Sequence, residues 1–424
     1  MMRAIAAACL ACAWLLVFPA LAQGGEATID SVRFRNFGIS SGLSQVTARA
    51  LLQDERGFLW IGTQDGLNRF DGYNFKVYSR DRRDASSLGD NHITTLVRGD
   101  QGLIWIGTMS GGLNRLDPSN DQIMVYRNRP DAADSLAADG VVSLLKMASG
   151  SLWVATTAGG LQSFDPESAL FTGIGPAASR LGVIRSMIAL PDGGVWLGGT
   201  RGLWRYQPEQ DQWAPVASDL AGLSDIQALA ADRDGSLWVG TTRSGLWHLD
   251  AEGRELMQYR NEPGRSDALP DDQVRALLYT RSGQLWVGTM NGLAIHQPAS
   301  DHFLTWRYDA GDAGSPAGNR IASLYEDRDG LIWIGSWTGG FSIHNPATQV
   351  VRLIRNHGRD RTSLPASPVR ALWMDHDGTL WMGILEGGGL IHYDLERGVL
   401  QLWVHDPGDR DSLAGAVVQS IART

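Results

Sequence analysis

The stretch VTARALLQDERGFLWIGTQDGLNRFD, residues 46–71, decides the fold, because its central box returns along the whole chain. The box is a Trp, an aliphatic residue, a Gly and usually a Thr, here Trp60-Ile61-Gly62-Thr63. Its Trp recurs at Trp60, Trp105, Trp153, Trp196, Trp238, Trp286, Trp333 and Trp381, a spacing of 42 to 48 residues. A fixed period of that length is the signature of a repeat architecture, in which each unit buries its apolar surface against its neighbours.

Working outward from the box, a Gly stands three residues before each Trp, and four repeats place an Asp six residues before it (Asp54, Asp232, Asp327, Asp375). Asp-x-x-Gly between two apolar runs reads as a tight hairpin, with Gly supplying a positive φ. Aliphatic residues flank each Trp on both sides, as Leu285 and Val287 do. Neighbouring strand residues point to opposite faces, so this strand is apolar on both and must be covered twice. The box Gly leaves room for an indole lying along the strand. A Gly-Leu pair such as Gly66-Leu67 opens a third strand, and a fourth, such as Gln122 to Tyr126, completes the unit. No helix is expected. Four short antiparallel strands per repeat describe an all-β fold, a β-propeller whose eight boxes leave room for eight blades, truncated in a ninth repeat. The eight Trp residues are then core, each contributing roughly 1.5–3 kcal/mol by burial.

Composition agrees with this picture and excludes other classes. The 424 residues are 43% hydrophobic with 51 Gly, and the net charge of −9 argues against a nucleic-acid binder. Lysine occurs only at Lys76 and Lys146, and the arginines are scattered. Residues 1–22 read as a signal peptide: Arg3, an apolar run from Ala4 to Phe18, then Pro19-Ala20-Leu21-Ala22 ahead of cleavage before Gln23. An uncleaved anchor is the alternative, and either way residues 23–424 face the periplasm or the outside. The two cysteines, Cys9 and Cys12, fall inside that leader. At the other end, Ser412-Leu413 and Val418 to Thr424 repeat the opening of earlier units, so a ninth repeat is expected to continue past Thr424.

The pattern Val-x-x-Leu-x-x-Asp-x-x-Gly-x-Leu-Trp-Ile-Gly-Thr-x-x-Gly-Leu-Asn-Arg-Phe-Asp resembles the two-component regulator propeller repeat. The Ser-Leu lead-ins at Ser87-Leu88, Ser135-Leu136, Ser363-Leu364 and Ser412-Leu413 fit it as well, as does Gly42-Leu43-Ser44-Gln45. Ala155, Gly199, Ser336 and Ile384 are local departures. The resemblance implies tandem seven-bladed rings on the extracytoplasmic side of an inner-membrane signalling protein. A membrane helix and a histidine kinase, diguanylate cyclase or similar output would follow in the same chain. It further implies a sensor of oligosaccharides or other small molecules, in some cases as a homodimer, that is not itself an enzyme and needs no cofactor. WD, kelch and sialidase Asp-box repeats fit less well, since here Asp234, Asp329 and Asp377 directly precede the turn Gly.

Function is usually grafted onto loops. The turns between second and third strands vary most, and they nominate Asp65, Arg201, Arg243, Asn291, Trp337 and Glu386 as ligand-binding residues. Trp337 is an aromatic in such a turn, suited to stacking on a sugar or to packing on a neighbouring blade. The competing class is a propeller lyase or glycosidase, for which Asp65 and Glu386 would be the carboxylate pair. A scaffold for protein partners is a third. Gly38-Ile39-Ser40-Ser41-Gly42 matches a nucleophile elbow without its strand-to-helix context. His248 and His392 fall in one register and His296 and His344 in another, so they form no shared metal site. The Asp-x-Asp-Gly turns lack the later ligands of a calcium loop.

Overall fold

A computed structural model describes residues 32–207, 210–216, 220, 222–347, 364–365, 367–385, 389–394 and 398–422. The signal peptide expected at residues 1–22 and Glu386 lie outside these residues. The strands form eight four-stranded antiparallel sheets. The chain divides into two compact units, Met1–Pro346 and Ala347–Thr424, of which the first holds seven of the sheets and the second the eighth.

In blade 1 the strands run from the inside outward as Ala50–Gln53, Leu59–Gly62, Leu67–Phe70 and Phe75–Tyr78. Blades 2 to 6 repeat this order. The inner strands of blades 2 to 7 are Ile93–Arg98, Val141–Lys146, Ile184–Ala189, Ile226–Ala231, Val274–Tyr279 and Ile321–Glu326. Blade 7 takes its outer strand from the start of the chain: Arg35–Phe37 pairs antiparallel with Phe341–His344, Phe37 opposite Phe341. The Phe37 and Phe341 rings stack at 5.1 Å, and Asn36 Nδ2 donates to Ser315 O at 2.9 Å. This seam closes the ring at seven blades. The Gly-x-Ser-x-Gly match around Ser40, without an elbow's context, is a 3-10 turn, Ile39–Ser41, leading from that strand to blade 1. One α-helical turn, Ala178–Leu181, stands between blades 3 and 4.

The box strands of the seven ring blades are buried along their whole length, as in Ile104–Thr108 and Leu285–Thr289. Trp60 and Trp196 are wholly buried, and the other ring indoles are at most 7% exposed. Asp54 and Asp327 do more than shape a hairpin. Trp60 Nε1 donates to Asp54 Oδ2 at 2.8 Å and Trp333 Nε1 to Asp327 Oδ2 at 2.7 Å. The other carboxylate oxygen of Asp54 accepts from the Arg56 and Phe58 amides.

The box Gly makes room for something other than the indole. A Cβ on Gly62 would lie 2.5 Å from Ile93 Cγ2, on Gly240 2.5 Å from Val274 Cγ1, and on Gly288 2.5 Å from Ile321 Cγ2. Each neighbour is the first inner-strand residue of the next blade. The Gly is thus a docking pit between repeats, which a reading within one repeat cannot show. Around the seam, Gly335 meets the Ala48 carbonyl in the same way. In the second unit, Gly383 receives Val418, whose amide donates to Ile384 O at 3.3 Å. The Val418 segment therefore sits on the eighth blade as the opening of a further repeat would.

The Ser of the lead-in locks the crossing at several blades. Ser135 Oγ donates to Ala132 O at 2.8 Å and accepts from the Arg129 amide, while Leu136 beside it is fully buried. Box threonines close the turns that follow: Thr63 Oγ1 donates to Gly66 O at 2.9 Å and accepts from the Asp65 amide.

Candidate functional site

In blades 2 to 7 the inner strand slips register after its first residue. Ile93 faces Thr108, but Thr95 faces Gly107, leaving Thr94 unpaired on the bulge. The same shift frees Val142, Arg185, Gln227, Arg275 and Ala322. Arg49 takes this place in blade 1, after Ala48 has donated to Ser336 O across the seam. A bulge re-aims the extra side chain. All seven of these residues, one per blade, line a cavity of about 360 Å³ together with Trp337.

Three of the eight are arginines. Arg185 pairs with Asp225. Arg275 Nη1 donates to Gln227 Oε1 at 3.2 Å, and its Nε is buried without a partner. Arg49 lies 5.7 Å from the centre of the Trp337 ring and donates to His92 Nε2 at 3.3 Å. Arginine can only donate, so His92 accepts and is neutral. Burial, and then the Arg49 charge, hold the His92 pKa below its ordinary value. Burial also lowers the Arg49 and Arg275 pKa values, with Arg275 repelling Arg49 and Arg185 repelling Arg275. The guanidinium groups therefore sense one another across a shared space. None of the eight lining side chains is a carboxylate, histidine or cysteine.

The six residues nominated from the turns are distributed as follows. Trp337 is the first residue of its turn, its amide bonded to Arg320 O at 2.9 Å, and it faces the cavity. Met109 and Thr242 hold the same place in their blades, bonded to His92 O and Asp225 O. Asp65, Arg201, Arg243 and Asn291 each stand one residue later, are exposed, and do not line the cavity. Asp65 accepts from Asn91 Nδ2 at 2.9 Å. Glu386 lies outside the described residues. The bulge arginines escaped the turn-based reading. Their signal is the residue after the first aliphatic of each inner strand, which varies while the residue before it stays apolar.

The repeated histidines serve packing. His248 stacks on Trp238 at 3.9 Å and bonds Ser236 Oγ, and His392 stacks on Trp381 at 4.4 Å and bonds Thr379 Oγ1. His296 bonds Asp301 and His344 bonds Arg33 O, so the two registers have different partners. A larger cavity of about 610 Å³ lies between blades 4 and 5 at the rim, lined by Arg205, Gln212, Pro215 and Glu252 among others. Only two blades build it, and it adjoins positions outside the described residues.

The profile of the two-component regulator propeller matches residues 42–65, 87–110, 221–243, 268–291 and 315–338. These segments run from lead-in to second turn in blades 1, 2, 5, 6 and 7. The five matched segments carry the two-component regulator propeller repeat. Blades 3 and 4, where Ala155 and Gly199 depart from the box, fall outside the matched segments. Over 74 residues, 18% of this chain and 5% of the relative, the sequence is 39% identical to histidine kinase P4 of Formosa agariphila. In fold the chain is similar to a structure described as the extracellular domain of a hybrid two-component system from B. thetaiotaomicron. The TM-score is 0.72 at 23% identity, covering 88% of this chain and 49% of that one. It is also similar, at TM-score 0.54 and 11% identity over 74% of this chain and 98% of the other, to virginiamycin B lyase from Staphylococcus aureus. The chain thus spans a small part of the kinase and about half of the first of these structures. Among the described residues no helix is long and apolar enough to cross a membrane.

Proposed function

We propose that this chain is the ligand-sensing, extracytoplasmic propeller of a transmembrane signalling protein of the histidine kinase or diguanylate cyclase type. It binds a glycan or other small molecule at the channel mouth and catalyses nothing itself. The observation that supports this reading is the convergence of one re-aimed side chain from each of seven blades, with Trp337, on a single cavity. A volume of about 360 Å³ lies in the range of small-molecule sites. The lining offers donors and an aromatic face but no acid–base pair, which disfavours the lyase or glycosidase alternative. The leader at residues 1–22 accords with export, and anchoring in the inner membrane and dimerisation belong to the same proposal.

The test is calorimetric titration of the purified protein with a panel of mono- and oligosaccharides, each sample then chromatographed. Binding without turnover, lost in Trp337→Ala, is the expected result. Depolymerisation of any panel member would replace the sensor with an enzyme, and binding untouched by Trp337→Ala would move the site elsewhere.

A further inference from the structure

The cavity carries more positive charge than its surroundings explain. The protein as a whole has a net charge of −9, yet three of the seven inner-strand positions at the cavity are arginine and no carboxylate lines the space. Asp225 engages Arg185, and Asp90 is occupied by the Ser110 amide and hydroxyl. Neutral His92 contributes no charge, and exposed Arg320 stands immediately before the inner strand of blade 7. Arg49 and Arg275 are left with an imidazole nitrogen, an amide oxygen and an aromatic ring as contacts and form no ion pair, Asp225 attracting Arg275 only through space and less than Arg185 repels it. Partly buried guanidinium groups that face one another without counter-charge are costly in the free protein. Elsewhere in this ring several arginines have a carboxylate partner: Arg127 with Asp139, Arg260 with Asp272, Arg33 with Asp312.

We propose that the channel mouth is a receptor for a small organic anion, whose carboxylate, sulfate or phosphate oxygens are held by Arg49 and Arg275 and whose body lies against Trp337. A planar guanidinium presents paired N–H donors that match such oxyanions. The unpartnered Nε of Arg275 is a donor available for this bond. The proposal rests on the sensor reading for its biological meaning, and on the cavity alone for its chemistry.

The experiment compares glucose, glucuronate, glucose 6-phosphate and inorganic phosphate by calorimetry on the full chain. The expected order is glucuronate and glucose 6-phosphate at least about tenfold tighter than glucose, since a hydrogen bond to a charged group carries that much. Arg49→Gln and Arg275→Gln should each weaken the two sugar anions by about ten- to hundredfold. Arg243→Gln, an exposed arginine one residue out of register, should leave them unchanged. Thermal melting of the free variants guards against misfolding: both glutamine variants should melt no lower than the parent, because each removes a repelling charge.

Glucose binding as tightly as glucuronate, and equally in Arg275→Gln, would overturn the anion assignment while leaving ligand sensing at the mouth intact. Inorganic phosphate binding as tightly as the sugar anions would overturn the organic-anion claim. Failure of every anion to bind would overturn it outright. Consumption of a bound sugar anion would instead sink the sensor reading and leave anion recognition standing.

Discussion

The two faces of the ring use arginine in opposite ways. On the face of the first hairpins, Arg233 donates to Arg281 O, Arg281 to Arg328 O at 3.1 Å, and Arg328 to Glu55 O and Asp54 O at 3.0 Å. Each guanidinium caps the hairpin of the next blade, and the relay runs across the seam from blade 7 to blade 1. At the channel mouth the bulge arginines reach no neighbouring backbone, and two of three lack an acid. One face uses its charge to hold the ring together, and the other keeps it for something outside the protein. Side chains spent on the scaffold are expected to matter for stability, and those withheld from it for binding.

The largest effect should come from the hairpin face. Asp327→Ala would strip the Trp333 indole and the Asp329 and Leu331 amides of their acceptor, costing about 3 kcal/mol in chemical denaturation. Asp232→Ala is the sharpening control. Its Trp238 Nε1 is already unpartnered, and the carboxylate instead helps burial push the Tyr279 hydroxyl up to about 12, so a loss of about 1 kcal/mol is expected. Equal losses in the two would mean that the indole bond contributes nothing. Next, Arg328→Ala should cost about 2 kcal/mol by opening the relay at the seam. An unchanged melting curve would reduce that relay to surface decoration.

These features were not equally legible in the sequence. The period of the Trp box revealed the fold because every repeat must solve the same burial problem, and the hairpin Asp stood in plain sight six residues from its Trp. The role of the box Gly was misread, since its tight neighbour, Ile93 for Gly62, belongs to the next repeat. The site was harder for a geometric reason. A bulge inserts one residue and inverts the alternation that a strand pattern assumes, so Arg49, Arg185 and Arg275 read as ordinary strand positions. On the turns the same period-2 rule separates Trp337, which faces the cavity, from Arg243 and Asn291 one step farther out.

A smaller effect is expected from pH at the seam. Burial holds the His344 pKa below its ordinary value of 6.5, against an opposing bond to Arg33 O. The folded ring therefore keeps this imidazole neutral where the unfolded chain takes up a proton. Stability should be fully present above pH 6.5 and should fall as the solution is acidified below that value, levelling off at the folded pKa. His92, lowered by burial and by Arg49, adds to the same slope from the mouth. His344→Asn keeps a donor toward Arg33 O and removes the titration. Its melting temperature should fall less between pH 7.5 and pH 5 than that of the parent, and parallel curves would assign the whole slope to other groups.

The smallest change in stability, and the one on which the contrast between the faces turns, is expected for Arg275→Gln in the free protein. The side chain is half-buried, donates one hydrogen bond to Gln227, and stands against the charges of Arg185 and Arg49. Glutamine keeps a donor within reach of the same region and removes the repulsion, so the net change should lie within about 0.5 kcal/mol of zero or on the stabilising side. Arg328 and Arg275 are the same residue type on the same ring, and both are partly exposed. If Arg275→Gln costs as much as Arg328→Ala, the mouth arginines are scaffold too, and the bulges are a way of closing a channel. If it is neutral or stabilising, the fold has no use for the charge it holds there, and a ligand must be what does.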